Sequence, residues 1–430
     1  MEDAEKLPVF RDRWGEATSV ESPAREVAAR RRRPWLVAAI VLPLILAGSY
    51  FPMKYARVQS LSQSCREALD AGDWGRVEDL AARWRFWDRS TAAPLVYLAE
   101  AASQTKQYDQ AVAWLGELPD DDPMTPAALV SRSSILFEAL NQPVEGAATL
   151  ERALKIQPKI TEAWRRLIYF YAFTLQRHRM VECAYAAIHH DCDLPETYVY
   201  LMLSDCLSFA NAYEQNTKWL RGNPDAELFQ VARALYRIKT KALDVESEAQ
   251  TDGPSDADGT PYHQKIIAEH LRTYPGNLEL VAYAVERAMT KGDVEEVARL
   301  LSLAPAESAQ DNRFWRCQGW LHGIRGELKA AEACYQKALA LVPYDHRSRH
   351  FLASIERRLK RLDLVKPLED LSFEGKQLRT DLLRMPTIDK VPVPMLKRMS
   401  AHARRCGDDT AANKLAVQVQ RLEAAENTSK

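Results

Sequence analysis

Polar and apolar positions follow three regimes along the chain. Residues Met1 to Pro34 are polar, contain Pro8 and Pro23, and close on the basic run Arg30 to Arg33, which reads as a disordered tail. The next 18 residues, Trp35 to Pro52 (WLVAAIVLPLILAGSYFP), carry no charge. From Lys54 onward large and small apolar residues recur at fixed distances, separated by turns such as Gly72-Asp73 and Gly292-Asp293 and by prolines at 123, 158, 224, 275 and 343. That alternation predicts short helices joined in antiparallel pairs. A breaker stretch with Pro386, Pro392 and Pro394 then precedes a last helix-turn-helix pattern, 395–430, that turns at Gly407-Asp408.

At about 1.5 Å per residue, an 18-residue helix just spans a hydrocarbon core of roughly 30 Å. The apolar run is therefore expected to be a single transmembrane helix, 35–53, with Trp35, Tyr50 and Phe51 as interfacial aromatics and Pro43 tolerated in the span. Four arginines precede it and only Lys54 and Arg57 follow closely, so positive charge places the tail in the cytoplasm and the rest outside it. A cleaved signal peptide is the rival, since Ala47-Gly48-Ser49 resembles a cleavage motif, but a 33-residue leading region is long for one.

The period is informative. Asn312 to Asp345 spans 34 residues and carries Trp315, Gly319, Ala331, Tyr335, Ala338 and Pro343 at positions 4, 8, 20, 24, 27 and 32. This segment resembles the tetratricopeptide repeat, in which small residues let two helices approach and large ones fill the space between hairpins. Units in register start at 58, 92, 127, 161, 278 and 312, and weaker ones lie around 193 and 225. The excess spacing before 278 falls in the acidic stretch Asp244 to Thr260, a solvated surface loop. A polar closing pair follows from His346 to about Leu371. The resemblance implies an all-α, right-handed α-solenoid of about eight hairpins. The expected organisation is a tail 1–34, a transmembrane helix 35–53, a solenoid 54–371 with the insertion 244–260, a linker 372–394 and a hairpin 395–430.

Composition narrows the function. With 58 Lys+Arg against 59 Asp+Glu, net charge -1, a nucleic-acid partner held by a basic surface is not expected. Gly is scarce at 16 of 430, which favours helices over turn-rich sheet folds. Seven cysteines, Cys65, Cys183, Cys192, Cys206, Cys317, Cys334 and Cys406, include no CxxC, and buried helical thiols are the plain reading. No GxSxG, Walker, HExxH or GxGxxG motif occurs, so neither an enzyme nor a cofactor nor a small-molecule substrate is expected.

In the tetratricopeptide family the first helices line a concave groove. Its positions fall here on Arg165 and Tyr169, on Arg313, Arg316 and Trp320, and on Arg347 and His350. Those side chains suit carboxylates and extended peptides. The family's clamp for acidic chaperone tails needs Lys and Asn where this chain has Ser131, Ile135, Arg165 and Tyr169, which excludes that activity. The resemblance thus implies a scaffold for partner proteins or peptides; with the apolar run and its flanking charge, the expected protein is membrane-anchored with its repeats extracytoplasmic, by fold analogy in a bacterial envelope. Two alternatives stand beside it: a metal-dependent or catalytic role for His178, Cys183, His189, His190, Asp191, Cys192 and Asp193, and a self-assembling structural scaffold. Helical spacing spreads the His178 to Cys192 ligands over roughly 20 Å, which disfavours the first.

Overall fold

The computed structural model describes residues 50–209, 211–245 and 262–428. Among the described residues the regular elements are all helices, with no strand, and they fall in two compact units, one ending at Arg89 and the other beginning at Ser90. The expected transmembrane helix lies outside the described residues except at 50–53. Among the described residues no helix is long and apolar enough to cross a membrane. The acidic insertion lies outside them from residue 246 to 261.

The first unit holds α1, which runs through residues 50–70, and α2 (Trp74–Trp87). Leu61, Cys65 and Ala68 are the buried stripe of α1, and Val77, Ala81 and Trp84 that of α2. Gly72 makes the turn with φ +68°, and Asp73 caps α2 by accepting from the Arg76 N–H at 3.1 Å.

The second unit consists of helix pairs: α3 (Ala93–Gln104) with α4 (Tyr108–Gly116), α5 (Thr125–Glu138) with α6 (Pro143–Ile156), and α7 (Thr161–Phe173) with α8 (Arg177–His189). Next, α9 (Pro195–Met202) packs on α8 and α7, α10 (Ala212–Gly222) pairs with α11 (Glu227–Val245), α12 (Tyr262–Thr273) lies against α11 and α13, and α13 (Leu278–Lys291) pairs with α14 (Val294–Ser302). The last pairs are α15 (Asn312–Ile324) with α16 (Leu328–Leu341), α17 (His346–Arg358) with α18 (Leu362–Leu383), and α19 (Val393–Arg405) with α20 (Asp409–Thr428). The hairpin repeat of the sequence is therefore the repeat of the structure except from α9 to α12, where hairpins expected around 193 and 225 give way to a pairing of α10 with α11.

Close approach within a pair comes from the small residues. A Cβ on Gly319 of α15 would stand 2.9 Å from ring carbons of Tyr335 on α16, and one on Gly146 would stand 2.7 Å from the Phe137 ring. In seven hairpins the turn passes through one left-handed residue: Lys106, Asn141, Leu175, Gly292, Gly326, Lys360 and Gly407 all have positive φ. Four of those positions show no Gly, and an L-residue there costs roughly 1–2 kcal/mol.

The linker expected from 372 is shorter than its sequence suggests. α18 continues to Leu383, because Leu378 and Leu382 are buried and no proline occurs between Leu371 and Pro386. An irregular strap, 384–392, then leads into α19.

The array also curves back on itself. The C-terminal hairpin contributes Leu396, Met399, Ala403, Ala411, Leu415 and Val419 to the apolar core that α7 to α11 share. Polar contacts fix the same junction. Tyr185 of α8 and Tyr344 both donate to Asp408, at 2.7 and 2.6 Å, and burial pushes both phenols well above the usual range. Gln418 of α20 donates to Asp193 at 2.5 Å, and Lys414 pairs with Asp191.

Candidate functional site

The helical period places Arg165, Tyr169 and Phe173 four residues apart on one face of α7, and Glu196 and Tyr200 along α9 beside it, with Leu203 just past its end. The segment after α9 adds Ser208, Phe209 and Asn211. Together with the end of α18 and the strap they enclose a cleft of about 640 Å³. Its floor is an aromatic ladder. The Tyr169 and Phe173 rings lie 4.0 Å apart, Phe173 stacks on Phe209 at 5.3 Å, and Tyr200 meets Phe209 at 5.3 Å. Burial pushes the Tyr169 phenol up to about 12, so it stays protonated and able to donate.

The rim is charged. Arg165, half exposed, donates to Glu196 at 3.1 Å and lies 3.6 Å from Glu162, and Arg166 donates to Glu162 at 2.6 Å. Leu383, Met385, Pro386, Ile388 and Asp389 form the opposite wall. Such a cleft offers apolar and aromatic contact with a polar mouth, which is the composition of a recognition surface.

The other expected groove residues do not join it. Arg316 is fully buried: its Nη1 donates to Asp205 at 3.0 Å and to Asp345, and its Nη2 to Glu286. Arg313, also buried, donates to Glu279 at 2.6 and 2.9 Å and to Asp311 at 2.5 Å. Arg316 is engaged in the interior because the curvature brings Asp205, in the α9–α10 connection, onto α15, whereas Arg313 is held locally by Asp311 and by Glu279 of the neighbouring α13. Arg347 sits at the edge of this network, 3.5 Å from Glu286. Trp320 is half-buried against the core of α13 and α14, and His350 is exposed beside the Phe351 ring. Burial alone would push the Asp205 carboxyl up, but Arg316, Arg347 and Arg379 together hold it well below the usual range.

The His178 to Asp193 cluster does not converge. His178 pairs with Glu182 at 3.2 Å, His190 stacks on Trp164, and Asp191 and Asp193 meet the C-terminal hairpin. Burial pushes the Cys183 thiol up to about 12. Among the described residues no three His, Cys, Asp or Glu side chains are placed to hold a metal, and no disulfide joins the cysteines. A second cleft, of about 700 Å³, lies between α8 and α16 and is lined by Val181, Leu228, Val231, Leu341 and Val342. Arg177 at its floor is held by Glu279 at 3.1 Å and by the Ser204 carbonyl.

The sequence missed three parts of the first cleft: Tyr200, Phe209 and the strap. Phe209 and the strap lie in irregular segments with no period to mark them, and Tyr200 sits in the weakest repeat.

No protein-family model matches the chain, and no curated protein is similar to it. Solved structures similar to it include a tetratricopeptide repeat protein from Parabacteroides merdae, at 12% identity over 74% of this chain and 99% of that one, TM-score 0.25. Cut9 in the APC/C hetero-tetramer Cut9-Hcn1 has 14% identity over 88% of this chain and 85% of that one, TM-score 0.28. Yeast Tom70 has 12% identity over 90% and 99%, TM-score 0.27. It is the helix pairing within the chain that establishes the hairpin repeat.

Proposed function

We propose that the protein is a membrane-held repeat scaffold that binds segments of partner proteins in the cleft of α7 and α9, and so assembles complexes in a bacterial envelope. The observation that carries this reading is the aromatic ladder with Arg165 at its mouth, a pre-organised surface on rigid helices. Rigid helices lower the ordering cost of binding, so the partner segment supplies most of it. The apolar run 35–53 would hold this surface at a membrane, with the repeats outside the cytoplasm. The exposed Tyr50 and Phe51 at the end of that run and Tyr55 just after it suit a lipid interface.

Two measurements test the reading. A photo-reactive amino acid at Arg165 of the full chain in its native membrane should give discrete adducts that Tyr169→Ala abolishes. The same adducts from a probe at the exposed Lys291 would refute the cleft. A membrane-impermeant maleimide should label a Lys291→Cys variant in intact cells above the wild-type background. Labelling only after the cells are opened would refute the sidedness.

A further inference from the structure

The charges of the first hairpin are sorted along its length. The buried stripes of α1 and α2 fix how the two helices lie: Ala68 is opposite Val77, Cys65 opposite Ala81 and Leu61 opposite Trp84, each pair nearly equidistant from the turn at Gly72. Continuing that register sets Arg57 level with Arg89 at the end of the hairpin remote from the turn. Arg83 and Asp79 pair with each other at 2.9 Å. Apart from that pair, the remote end carries Lys54, Arg57, Arg85 and Arg89 against Asp88, and the turn end carries Glu67, Asp70, Asp73 and Glu78 against Arg66 and Arg76. Exposed rings gather at the basic end too. Tyr55 is 68% exposed, and Phe86, edge-on to Trp87 at 6.0 Å, is 73% exposed.

We propose that the basic end of this hairpin is a docking surface for an anionic lipid bilayer, and that it seats the hairpin on the headgroups of the membrane that the apolar run enters. The proposal rests on the reading of 35–53 as a membrane anchor. The occupant follows from where the apolar residues stop. They end at Pro52, and α1 is already helical at Tyr50, so the run and the hairpin share one helix across 50–52. At about 1.5 Å per residue Lys54 and Arg57 stand roughly 3 and 8 Å beyond the run, and a headgroup layer is about 5–8 Å deep. Arg89 stands at the height of Arg57. Arg85 and Phe86 are about a turn higher, but α2 packs about 8–10 Å to one side of α1. The tilt of about 20° that is ordinary for a spanning helix, taken towards α2, lowers them by about 3 Å. The four cations then lie within about one Debye length of the lipid phosphates, where each basic residue gains about five-fold in affinity for an anionic surface. The acidic end is directed away from the bilayer, so no like charges are brought together. A neutral bilayer would accept the rings but would gain nothing from the arginines.

The test uses the full chain reconstituted in vesicles of phosphatidylcholine alone and in vesicles that also contain phosphatidylglycerol. A photo-reactive amino acid replaces Phe86 at the basic end, Ala71 at the turn, or Leu44 within the apolar run, and mass spectrometry measures lipid adducts. The Phe86 probe should give at least about five-fold more adducts in the anionic vesicles than in the neutral ones, and the Ala71 probe none in either. Arg57→Gln with Arg89→Gln, both at exposed positions, should abolish that difference, whereas Arg57→Lys with Arg89→Lys should keep it. Should the glutamine variant lose cooperative unfolding, the unsubstituted arginines in about 1 M salt, where the Debye length is about 3 Å, serve instead, and the difference should again vanish. Equal yields from Phe86 in the two kinds of vesicle, equal yields from Phe86 and Ala71, or a difference that survives the glutamines or the salt overturns the proposal. The Leu44 probe separates the two readings. Adducts there in both vesicles with none at Phe86 leave the anchor standing and sink the docking surface. Absence of adducts at both positions sinks both.

Discussion

Replacing Arg316 with Met, a side chain of similar length without charge, should remove much of the protein's stability. In the native structure one guanidinium serves three carboxylates, Asp205, Glu286 and Asp345, and its side chain is wholly buried. Asp345 is committed elsewhere as well: it caps α17 by accepting from the Arg347 and Ser348 N–H groups at 3.1 and 3.0 Å. It cannot withdraw to water without uncapping that helix. Breaking a buried pair by deleting one partner costs about 3–5 kcal/mol. Arg347, 3.5 Å from Glu286, remains to offset part of it, so a loss near 3 kcal/mol is expected. The pH dependence gives a second reading of the same event. In the wild type, burial acts to raise the Asp205 and Glu286 carboxyls, but Arg316 with Arg347 and other arginines holds both below their ordinary values. Both are then ionised throughout pH 5 to 8 and add no slope there. Without Arg316, burial prevails and their pKa values rise above those of the unfolded chain. The variant's deficit is then largest at pH 8 and shrinks as acid protonates them. Urea unfolding of the solubilised chain, followed by circular dichroism at pH 5 and pH 8, measures both effects. A loss below about 1 kcal/mol that is equal at the two pH values would refute the account of a closed, unsolvated network.

Gly319→Ala should cost about 1 kcal/mol, since overpacking against the Tyr335 ring (about 1–3 kcal/mol) exceeds the helix-propensity gain of about 1 kcal/mol; urea unfolding checks this, and Tyr335→Leu should remove the penalty. Lys360→Gly should stabilise by up to about 1 kcal/mol because φ is +62° there, whereas Gly326→Ala, at φ +82°, should destabilise by a similar amount in the same assay. Burial, with Arg349 beside it, lowers the His402 pKa to about 4 from its ordinary 6.5. Between those values the unfolded chain binds a proton that the folded one refuses, so stability is lost as pH falls from about 6.5 to 4, and His402→Gln should flatten that part of the curve.

The hairpins were legible because a helix pair needs small residues where its axes cross and a stop at its end, and Gly319, Ala331 and Pro343 supply both. Where the left-handed turn residue is Gly, as at Gly292 and Gly407, the turn was legible too. At Lys106, Leu175 and Lys360 the same conformation is imposed by the packed helices on either side, and no local residue announces it. The period also located Arg165 and Tyr169, which depend only on position within one helix. It could not show the fate of Arg316, which depends on curvature. Asp205 lies 111 residues before Arg316, and no repeat pattern records that the two meet. The strap escaped for a similar reason. A breaker-rich segment reads as a linker, and only the aromatic wall beside it reveals that it is seated.

The junction of α8 with the C-terminal hairpin sets a condition on how the protein is made. Tyr185 and Asp408 are 223 residues apart, so at about 5–20 residues per second α8 leaves the ribosome roughly 10 to 45 s before its last partner exists. Throughout that interval the apolar stripe that will meet Met399 and Leu415 is uncovered. In an open array each hairpin could be finished as it emerged, one neighbour at a time. Here the nascent chain must be kept from aggregating until its final helix arrives, and a premature stop anywhere before Asp408 leaves a finished-looking array with its seam unsewn.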